Sequence, residues 1–170
     1  MSLYQASVPN FIRTLKNLDR WFDKAEAYAT AKKFDTAVYL TLRLAPDQLP
    51  FNRQIQIATD SAKLAVARLT GKEAPTFADN ESTLAELRTR VKNTIAFLET
   101  VTEQDFVGAE TRKLPVGGQP GKVALGRDAL FEHAIPNFFF HVTTTYALLR
   151  HNGVELGKSD FIGPRTTQDA

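Results

Sequence analysis

The sequence contains no cysteine. This absence excludes disulfide bonds, cysteine nucleophiles and cysteine-ligated zinc, and with them the disulfide-stapled scaffolds of small secreted proteins. The chain also lacks an apolar run of the roughly 20 residues that a membrane-spanning helix needs, and its first residues show no basic segment followed by an apolar one. We therefore expect a cytoplasmic protein that has no membrane partner and is not exported.

A strong excess of charge of one sign is also missing. The 21 Lys and Arg residues nearly balance the 19 Asp and Glu residues, giving a net charge of +2. A nucleic-acid-binding surface requires a concentrated basic patch, and the basic residues here are scattered among acidic ones, so we expect no nucleic-acid partner. The sequence also has no phosphate-binding loop, dinucleotide fingerprint, nucleophile elbow or HExxH zinc motif.

What the sequence does contain is helical periodicity. Its 170 residues include 43% hydrophobic side chains, enough for one domain with a sizeable core. Apolar residues recur every three or four positions in four segments, which run from Leu3 to about Lys32, from Phe51 to Thr70, from Thr83 to about Val101, and from Asp128 to Gly153. We predict an all-α four-helix bundle, a single domain over residues 1–170, with a long crossover after the first helix and a short hairpin between the third and fourth.

Local signals suggest where these helices begin. Thr83 and Glu86 have the spacing of a capping box for the third helix. Ser7 is a candidate N-cap for the regular part of the first helix, and Asp128 is a candidate N-cap for the fourth. Pro136 has no backbone N–H to donate, so the fourth helix is expected to start or bend there.

Two segments are predicted to be connections, and the tail is predicted to cover the bundle. Residues 34–50 show neither the helical repeat nor the alternating pattern of a strand clearly. They end in two prolines that bracket a turn, so we interpret them as the crossover. Residues 111–125 place two short extended runs around a Gly-Gly-Gln-Pro-Gly turn, which is typical of an irregular hairpin. The tail after Gly153 has apolar anchors at Phe161 and Ile162 and is expected to lie along the bundle.

The candidate site lies on the second and fourth helices. One stripe of the fourth helix brings Asn137, His141 and Thr144 onto a shared face. The second helix carries a polar line between two apolar stripes, formed by Gln54, Ser61 and Arg68. A buried amide in such a line needs a hydrogen-bond partner. We predict a small polar pocket in which Gln54, Asn137, His141 and Thr144 bind a ligand and His141 is the catalytic base.

The same two helices carry apolar residues beyond their core stripes. On the second helix these are Ile57 and Leu64, and on the fourth they are Phe139, Phe140, Tyr146 and Ala147. A helix with almost no polar face is typically buried on more than one side. Since a symmetric dimer is the commonest assembly, we predict a homodimer formed through the second and fourth helices.

Two strings in the sequence resemble a known family. They are PDQLPFNRQIQIATDSAK, residues 46–63, and PNFFFHVTTTYALLRHNG followed by GKSDFIG, within residues 136–163. Over essentially its full length the chain resembles a bacterial family of unknown function related to the DinB/YfiT-like four-helix bundles. The resemblance implies that fold, and it implies a relationship to a superfamily whose members are assigned as metalloenzymes, some of them metal-dependent thiol transferases or isomerases.

Members of that superfamily usually hold a divalent metal with three histidines, one on the second helix and two spaced H-x-x-x-H on the fourth. In this chain His141 matches the second histidine of the pair and Asn137 stands at the first position. Gln54 or Gln56 stands at the second-helix position, and the helical phase favours Gln54. An amide oxygen is a weak ligand for zinc or nickel, so the resemblance implies at most a degenerate site with His141 as the remaining metal ligand.

The remaining histidines are expected to have structural roles. His133 lies two turns before His141 and is expected at the surface or near a helix end, and His151 lies in the last turn, where a cation suits the helix dipole. An alternative is a rearranged metal site that combines both His133 and His141 with Glu132 or Asp60. The helical phase argues against it, because Asp60 is expected to project away from the core stripe of its helix.

Three hypotheses for function follow. The first is a small-ligand-binding or pseudo-enzyme module whose metal site has decayed. The second is a metal-assisted transferase, hydrolase or isomerase acting on a small molecule with His141 in the site. The third is a structural, stress-related homodimer in which Gln54, Asn137 and His141 satisfy one another and leave no cavity.

Overall fold

The computed structural model describes residues 1–168, which form a bundle of four long helices with shorter elements between them. In chain order the elements are α1 (Leu3–Lys32), α2 (Ala37–Leu40), α3 (Phe51–Thr70), α4 (Leu84–Glu99), a 3-10 helix (Glu103–Phe106), strands β1 (Lys113–Pro115) and β2 (Val123–Leu125), α5 (Gly126–Asp128), a π-helix (Ala129–Ala134), α6 (Ile135–His151) and α7 (Lys158–Ile162). The predicted all-α bundle is confirmed. None of the helices within residues 1–168 combines the length and apolarity needed to cross a membrane.

Helix α3 holds the bundle together. It packs against both α6 and α4, and α1 packs against α4, so the predicted apolar stripes meet in one core. Phe11 of α1 and Phe138 of α6 are fully buried, with their ring centroids 4.6 Å apart. Burial of each such ring contributes roughly 1.5–3 kcal/mol to the free energy of folding. This contact therefore stabilises the packing of α1 against α6.

The N-terminus of α1 differs from the prediction. Ser2 is the N-cap and forms a capping box with Gln5, so the proposed Ser7 cap is wrong: Ser7 is buried inside the helix and its hydroxyl donates to the carbonyl of Leu3. The helix passes through Pro9, which cannot donate a backbone N–H to Gln5. The side-chain amide of Asn10 donates to that carbonyl at 3.4 Å, which compensates for the missing bond.

The crossover between α1 and α3 contains one turn of helix, α2, which the sequence analysis did not predict. Its Tyr39 is buried and donates its hydroxyl to the carbonyl of Ala25 at 3.1 Å. Burial, with a smaller contribution from Tyr28, raises the pKa of Tyr39 to about 12. The crossover is therefore anchored on α1 by a phenol that stays protonated.

The predicted hairpin is present. Strands β1 and β2 pair antiparallel, with Leu114 opposite Ala124. The chain then turns directly into helix at Gly126, where a side chain would overlap the carbonyl oxygen of Ala109. The turn that contains Ala109 and the start of the last helical stretch thus approach each other more closely than a residue with a side chain would allow.

The helical stretch that ends in α6 begins earlier and less regularly than predicted. Asp128 makes no capping hydrogen bond, so the predicted cap is wrong: the chain is already helical from Gly126. A six-residue π-helix, Ala129–Ala134, then precedes α6, and Pro136 lies in the first turn of α6. Because proline lacks an N–H and its ring crowds the carbonyl four residues earlier, the wider π-helical turn fits the chain just before Pro136.

The C-terminal tail crosses α1 and α6, as the sequence analysis expected. The indole N–H of Trp21 donates to the carbonyl of Asp160 at 3.1 Å, and the Phe161 ring stacks on that indole. Phe161 also meets Tyr146 edge-on. Tyr146 therefore packs within the chain, and the part of α6 assigned to a dimer contact in the sequence analysis is partly covered by the tail.

Candidate functional site

The predicted site residues Gln54 and His141 are in direct contact between α3 and α6. The Nδ1 atom of His141 lies 2.7 Å from the Oε1 atom of Gln54. The Nε2 atom of Gln54 donates to the carbonyl of Leu49 at 2.8 Å. A carbonyl can only accept, so the amide group of Gln54 must present its oxygen to the imidazole.

This contact determines the tautomer of His141. Because Gln54 Oε1 can only accept, the imidazole must carry its proton on Nδ1. The other nitrogen, Nε2, makes no hydrogen bond within residues 1–168 and is not fully shielded from solvent. The residue is 7% exposed, and burial lowers the pKa of His141 below its ordinary value. His141 is therefore a neutral imidazole with an unprotonated nitrogen.

Asn137 is bound to a different partner, Ser61. The Ser61 hydroxyl donates to the carbonyl of Ile57 at 2.7 Å, so its oxygen can only accept from Asn137. The 2.7 Å contact between the two side chains is consequently made by Nδ2 of Asn137. Its Oδ1 atom has no hydrogen-bond partner in the part of the chain that the structure describes.

The other two candidate residues, Thr144 and Gln56, form hydrogen bonds outside these two pairs. The hydroxyl of Thr144 donates to the carbonyl of Phe140 within α6 and is buried. Gln56 accepts a hydrogen bond from Arg53 and donates to Glu81, so it belongs to a different cluster from Gln54. The structure thus forms two separate pairs, Gln54 with His141 and Asn137 with Ser61, instead of one pocket built from all the predicted residues.

A cavity of about 540 Å³ lies beside Asn137, between α3, the β1–β2 hairpin and the π-helix; we call it the hairpin cavity. Its apolar lining includes Leu64, Leu69, Leu114 and Leu130. Its polar lining includes Asp60, Ser61, Arg68, Asp128, Glu132, His133 and Asn137. The residues that line it therefore include Asn137 but not Gln54, His141 or Thr144.

Several cavity residues were missed or dismissed in the sequence analysis. Asp60 was expected to project away from the site, and His133 was assigned a surface or capping role. His133 is exposed, but both residues line the cavity, because the π-helix carries His133 toward α3. The polar line predicted on α3 did indicate part of the cavity wall, since two of its members, Ser61 and Arg68, lie in the lining.

Asp60 connects the cavity to a buried ion cluster. The guanidinium of Arg90, whose side chain is 1% exposed, contacts Asp60 Oδ1 at 2.8 Å and also binds Asp79 and Glu81. Lys63 contacts the same Oδ1 atom at 2.9 Å. Burial raises the pKa values of Asp79 and Glu81, but hydrogen bonds from Arg90 outweigh it and hold both below their ordinary values.

Residues 3–162 match the family model described as a domain of unknown function, DUF1993. The chain belongs to this family. It is also 48% identical to the chain in the crystal structure of a DinB family member protein from Shewanella denitrificans, with a TM-score of 0.95 over 99% of this chain and 96% of that one. No curated protein matches the chain.

Membership of DUF1993 and the likeness to a DinB family member raise the question of a metal. The three positions that the resemblance to the DinB/YfiT-like bundles would assign to metal ligands carry Gln54, Asn137 and His141, of which only the imidazole is a good ligand for zinc or nickel. The Oε1 atom of Gln54 already accepts from Nδ1 of His141, and the Asn137 amide is bound to Ser61. Among the described residues no three His, Asp or Glu side chains are grouped to hold a metal. These positions therefore do not fit a three-ligand metal site.

Proposed function

We propose that this DUF1993 protein is a small-ligand-binding or pseudo-enzyme module that takes an organic molecule into the hairpin cavity. The observation that supports the proposal is the cavity itself, whose lining combines apolar side chains with polar groups, as small-molecule sites usually do. Its volume is within the range of ligand pockets. Asn137, one of the residues singled out from the sequence, contributes to its polar side.

The π-helix gives further support. It supplies Ala129, Leu130, Glu132, His133 and Ala134 to the cavity wall. A π-helical turn is less favourable than the α-helical alternative and occurs frequently at functional sites. A stretch of helix that departs from regular geometry where it lines a cavity is consistent with selection for the cavity.

The proposal is tested by NMR with benzyl alcohol, a small neutral probe. Titration of the ¹⁵N-labelled protein should shift the amide signals of Ala65, Ala124 and Ala134, which line the cavity. Ala124→Trp should fill the cavity and abolish these shifts. Val123→Trp is the matched control, because Val123 is adjacent on β2, 56% exposed and absent from the lining.

Shifts that survive in Ala124→Trp, or shifts confined to residues outside the lining, would overturn the proposal. Heteronuclear spectra of the two tryptophan variants without probe establish that both are folded. The control Val123→Trp also shows whether an added indole disturbs the hairpin in general, since both substitutions are made on the same strand.

A metal-assisted transferase, hydrolase or isomerase is the second candidate, and one observation favours it. Nε2 of His141 is unprotonated and without a partner in the described chain, so it is free to act as a ligand or base. Elemental analysis after purification with zinc or nickel supplementation tests this candidate. Metal near one equivalent in the native protein and its loss in His141→Ala would favour this candidate, whereas equal, substoichiometric metal in both would exclude it.

We also propose that the protein forms a homodimer through α3 and α6, as in the structural hypothesis. Leu64 of α3 is 37% exposed and Phe140 of α6 is 56% exposed, and exposed apolar side chains of this kind are typical of contact surfaces. Sedimentation velocity should show a dimer that Phe140→Glu dissociates. Val107→Glu, at a residue 67% exposed away from these helices, is the control.

A further inference from the structure

The hydrogen bonds around the hairpin cavity indicate which chemistry its ligand must have. On the α3–α6 side the Ser61 hydroxyl proton is used by the carbonyl of Ile57, and Nδ2 of Asn137 donates to Ser61. The hydroxyl can therefore donate nothing to a ligand, whereas Oδ1 of Asn137 remains a free acceptor. This part of the wall presents an acceptor where a ligand can donate.

Asp60 presents a second fixed acceptor. Both of its cationic partners, Arg90 and Lys63, contact the Oδ1 atom, and Oδ2 has no side-chain partner in the described residues. The two partner side chains are only 1% and 5% exposed, so the carboxylate is held firmly in the wall. The Asp60 carboxylate is therefore already oriented when a ligand donates a hydrogen bond to its Oδ2 atom.

Two further carboxylates line the cavity and have no ion-pair or hydrogen-bond partner within residues 1–168. They are the half-buried Asp128 and the exposed Glu132 of the helical stretch before α6. Arg68 is the one Lys or Arg among the described residues that line this cavity; Arg68 and Glu132 are both exposed, so solvent screens both of their charges, whereas the half-buried Asp128 is screened less. The charge available to a ligand is thus predominantly negative.

Resting on the proposed function, we propose that the hairpin cavity binds an organic cation: an apolar body that carries a protonated amine. An ammonium group has three donors and no acceptor, so each of the lining acceptors, Asn137 Oδ1, Asp60 Oδ2 and the Asp128 carboxylate, is a suitable partner for it. The leucines of the lining provide the complementary surface for the apolar body. An anionic or acceptor-only ligand would leave these acceptors unpaired in a partly enclosed site, which is costly.

The test compares three probes of similar shape: benzylamine, which is protonated at pH 7, the neutral benzyl alcohol, and the anion benzoate. Dissociation constants come from NMR titration of the cavity amides of Ala65, Ala124 and Ala134. We expect benzylamine to bind at least about fivefold more tightly than benzyl alcohol, since a hydrogen bond between charged groups contributes more than one that a neutral hydroxyl donates. Benzoate should bind most weakly.

The double variant Asp128→Asn with Glu132→Gln should remove most of this preference, because it weakens the binding of benzylamine much more than the binding of benzyl alcohol. Neither side chain makes a hydrogen bond in the described chain, so the fold should tolerate the change. The matched control is Asp47→Asn with Glu155→Gln, which alters the net charge equally at two exposed residues outside the cavity. This control variant should still bind benzylamine more tightly than benzyl alcohol.

The outcomes separate this inference from the proposed function. Equal affinity for benzylamine and benzyl alcohol at the cavity amides would overturn the cation proposal and leave the cavity as a binding site. Tighter binding of benzoate would overturn it as well. If no probe shifts the cavity amides at millimolar concentrations, both proposals fail. Equal loss of preference in the control variant would show that long-range charge, and not the cavity carboxylates, attracts the amine.

Discussion

The Oε1 atom of Gln54 lies 2.7 Å from the Nδ1 atom of His141, and the backbone carbonyl of Leu49 decides which way this amide faces. The orientation of the Gln54 amide on α3 thereby fixes which ring nitrogen of His141 on α6 carries the proton. The same logic applies one to two turns away, where the carbonyl of Ile57 fixes Ser61 and, through it, Asn137. Two backbone carbonyls thus determine which atoms of the candidate site are free.

The first prediction concerns the tautomer of His141. Two-bond ¹H–¹⁵N spectra should show the proton on Nδ1 and a lone pair on Nε2. Replacing Gln54 with Glu puts a negative charge against the ring and should raise the pKa of His141, because an adjacent carboxylate favours the imidazolium. Gln54→Leu leaves the Nδ1 proton without an acceptor and should cost about 1–3 kcal/mol of unfolding free energy. A proton on Nε2 in the native protein would contradict the geometry.

The second prediction concerns the pH dependence of stability. Burial lowers the pKa of His141, so the unfolded state takes up a proton at a higher pH than the folded state does. The associated stability is complete above the ordinary histidine pKa of about 6.5 and is lost as the pH falls below it. Urea unfolding from pH 7.5 to 5 should show a steeper loss for the native protein than for His141→Gln. The exposed His133 is the control, and His133→Gln should keep the native slope.

The third prediction concerns the buried Arg90. Its guanidinium binds Asp60, Asp79 and Glu81, so Arg90→Met leaves these carboxylates close together without their shared cation. Breaking a buried ion pair by removing one partner typically costs about 3–5 kcal/mol. Urea unfolding measures the loss, and amide exchange in residues 72–83 should accelerate, because Arg90 holds that loop. Lys92→Met, on the exposed side of the same helix, should change neither quantity.

The fourth prediction concerns the C-terminal tail. Trp21 is the only tryptophan of the chain, and Phe161 stacks on its indole with centroids 5.8 Å apart. Phe161→Ala should destabilise the protein by about 1–3 kcal/mol, within the usual range for loss of a packed side chain, and shift the tryptophan emission to longer wavelength as water reaches the ring. Ile162→Ala, at a neighbouring residue that is 43% exposed, should leave the emission unchanged.

The fifth prediction concerns Gly126, where the hairpin passes into helix. A methyl group there would overlap the carbonyl oxygen of Ala109, so Gly126→Ala should force the start of α5 away from the turn that contains Ala109. We expect a destabilisation of about 1–3 kcal/mol, the range found for overpacked sites. Thermal unfolding measures it. Gly117→Ala, in the open turn of the hairpin with no atom near its added methyl group, should have a much smaller effect.

The sequence by itself determined the long helices, because the patterns that encode them are local. The periodicity from Phe51 ends at Gly71, whose φ of +80° closes α3, and the Thr83–Glu86 capping box opens α4 where predicted. Helical phase also chose Gln54 over Gln56 as the residue facing His141, and the structure forms that contact. A helix fixes the direction of every side chain on it, so these features follow without knowledge of the neighbours.

Only the tertiary structure decided what surrounds those helices. The hairpin cavity exists because β1, β2 and the π-helix come to lie against α3, and Asp60 and His133 become site residues by that approach alone. Helical phase favoured Gln54 over Gln56 as the inward-facing residue, yet Gln56 is also buried, because residues 72–83 fold over it. These outcomes depend on contacts between segments far apart in the chain, which no local pattern of residues encodes, and so periodicity could locate the helices but not the cavity between them.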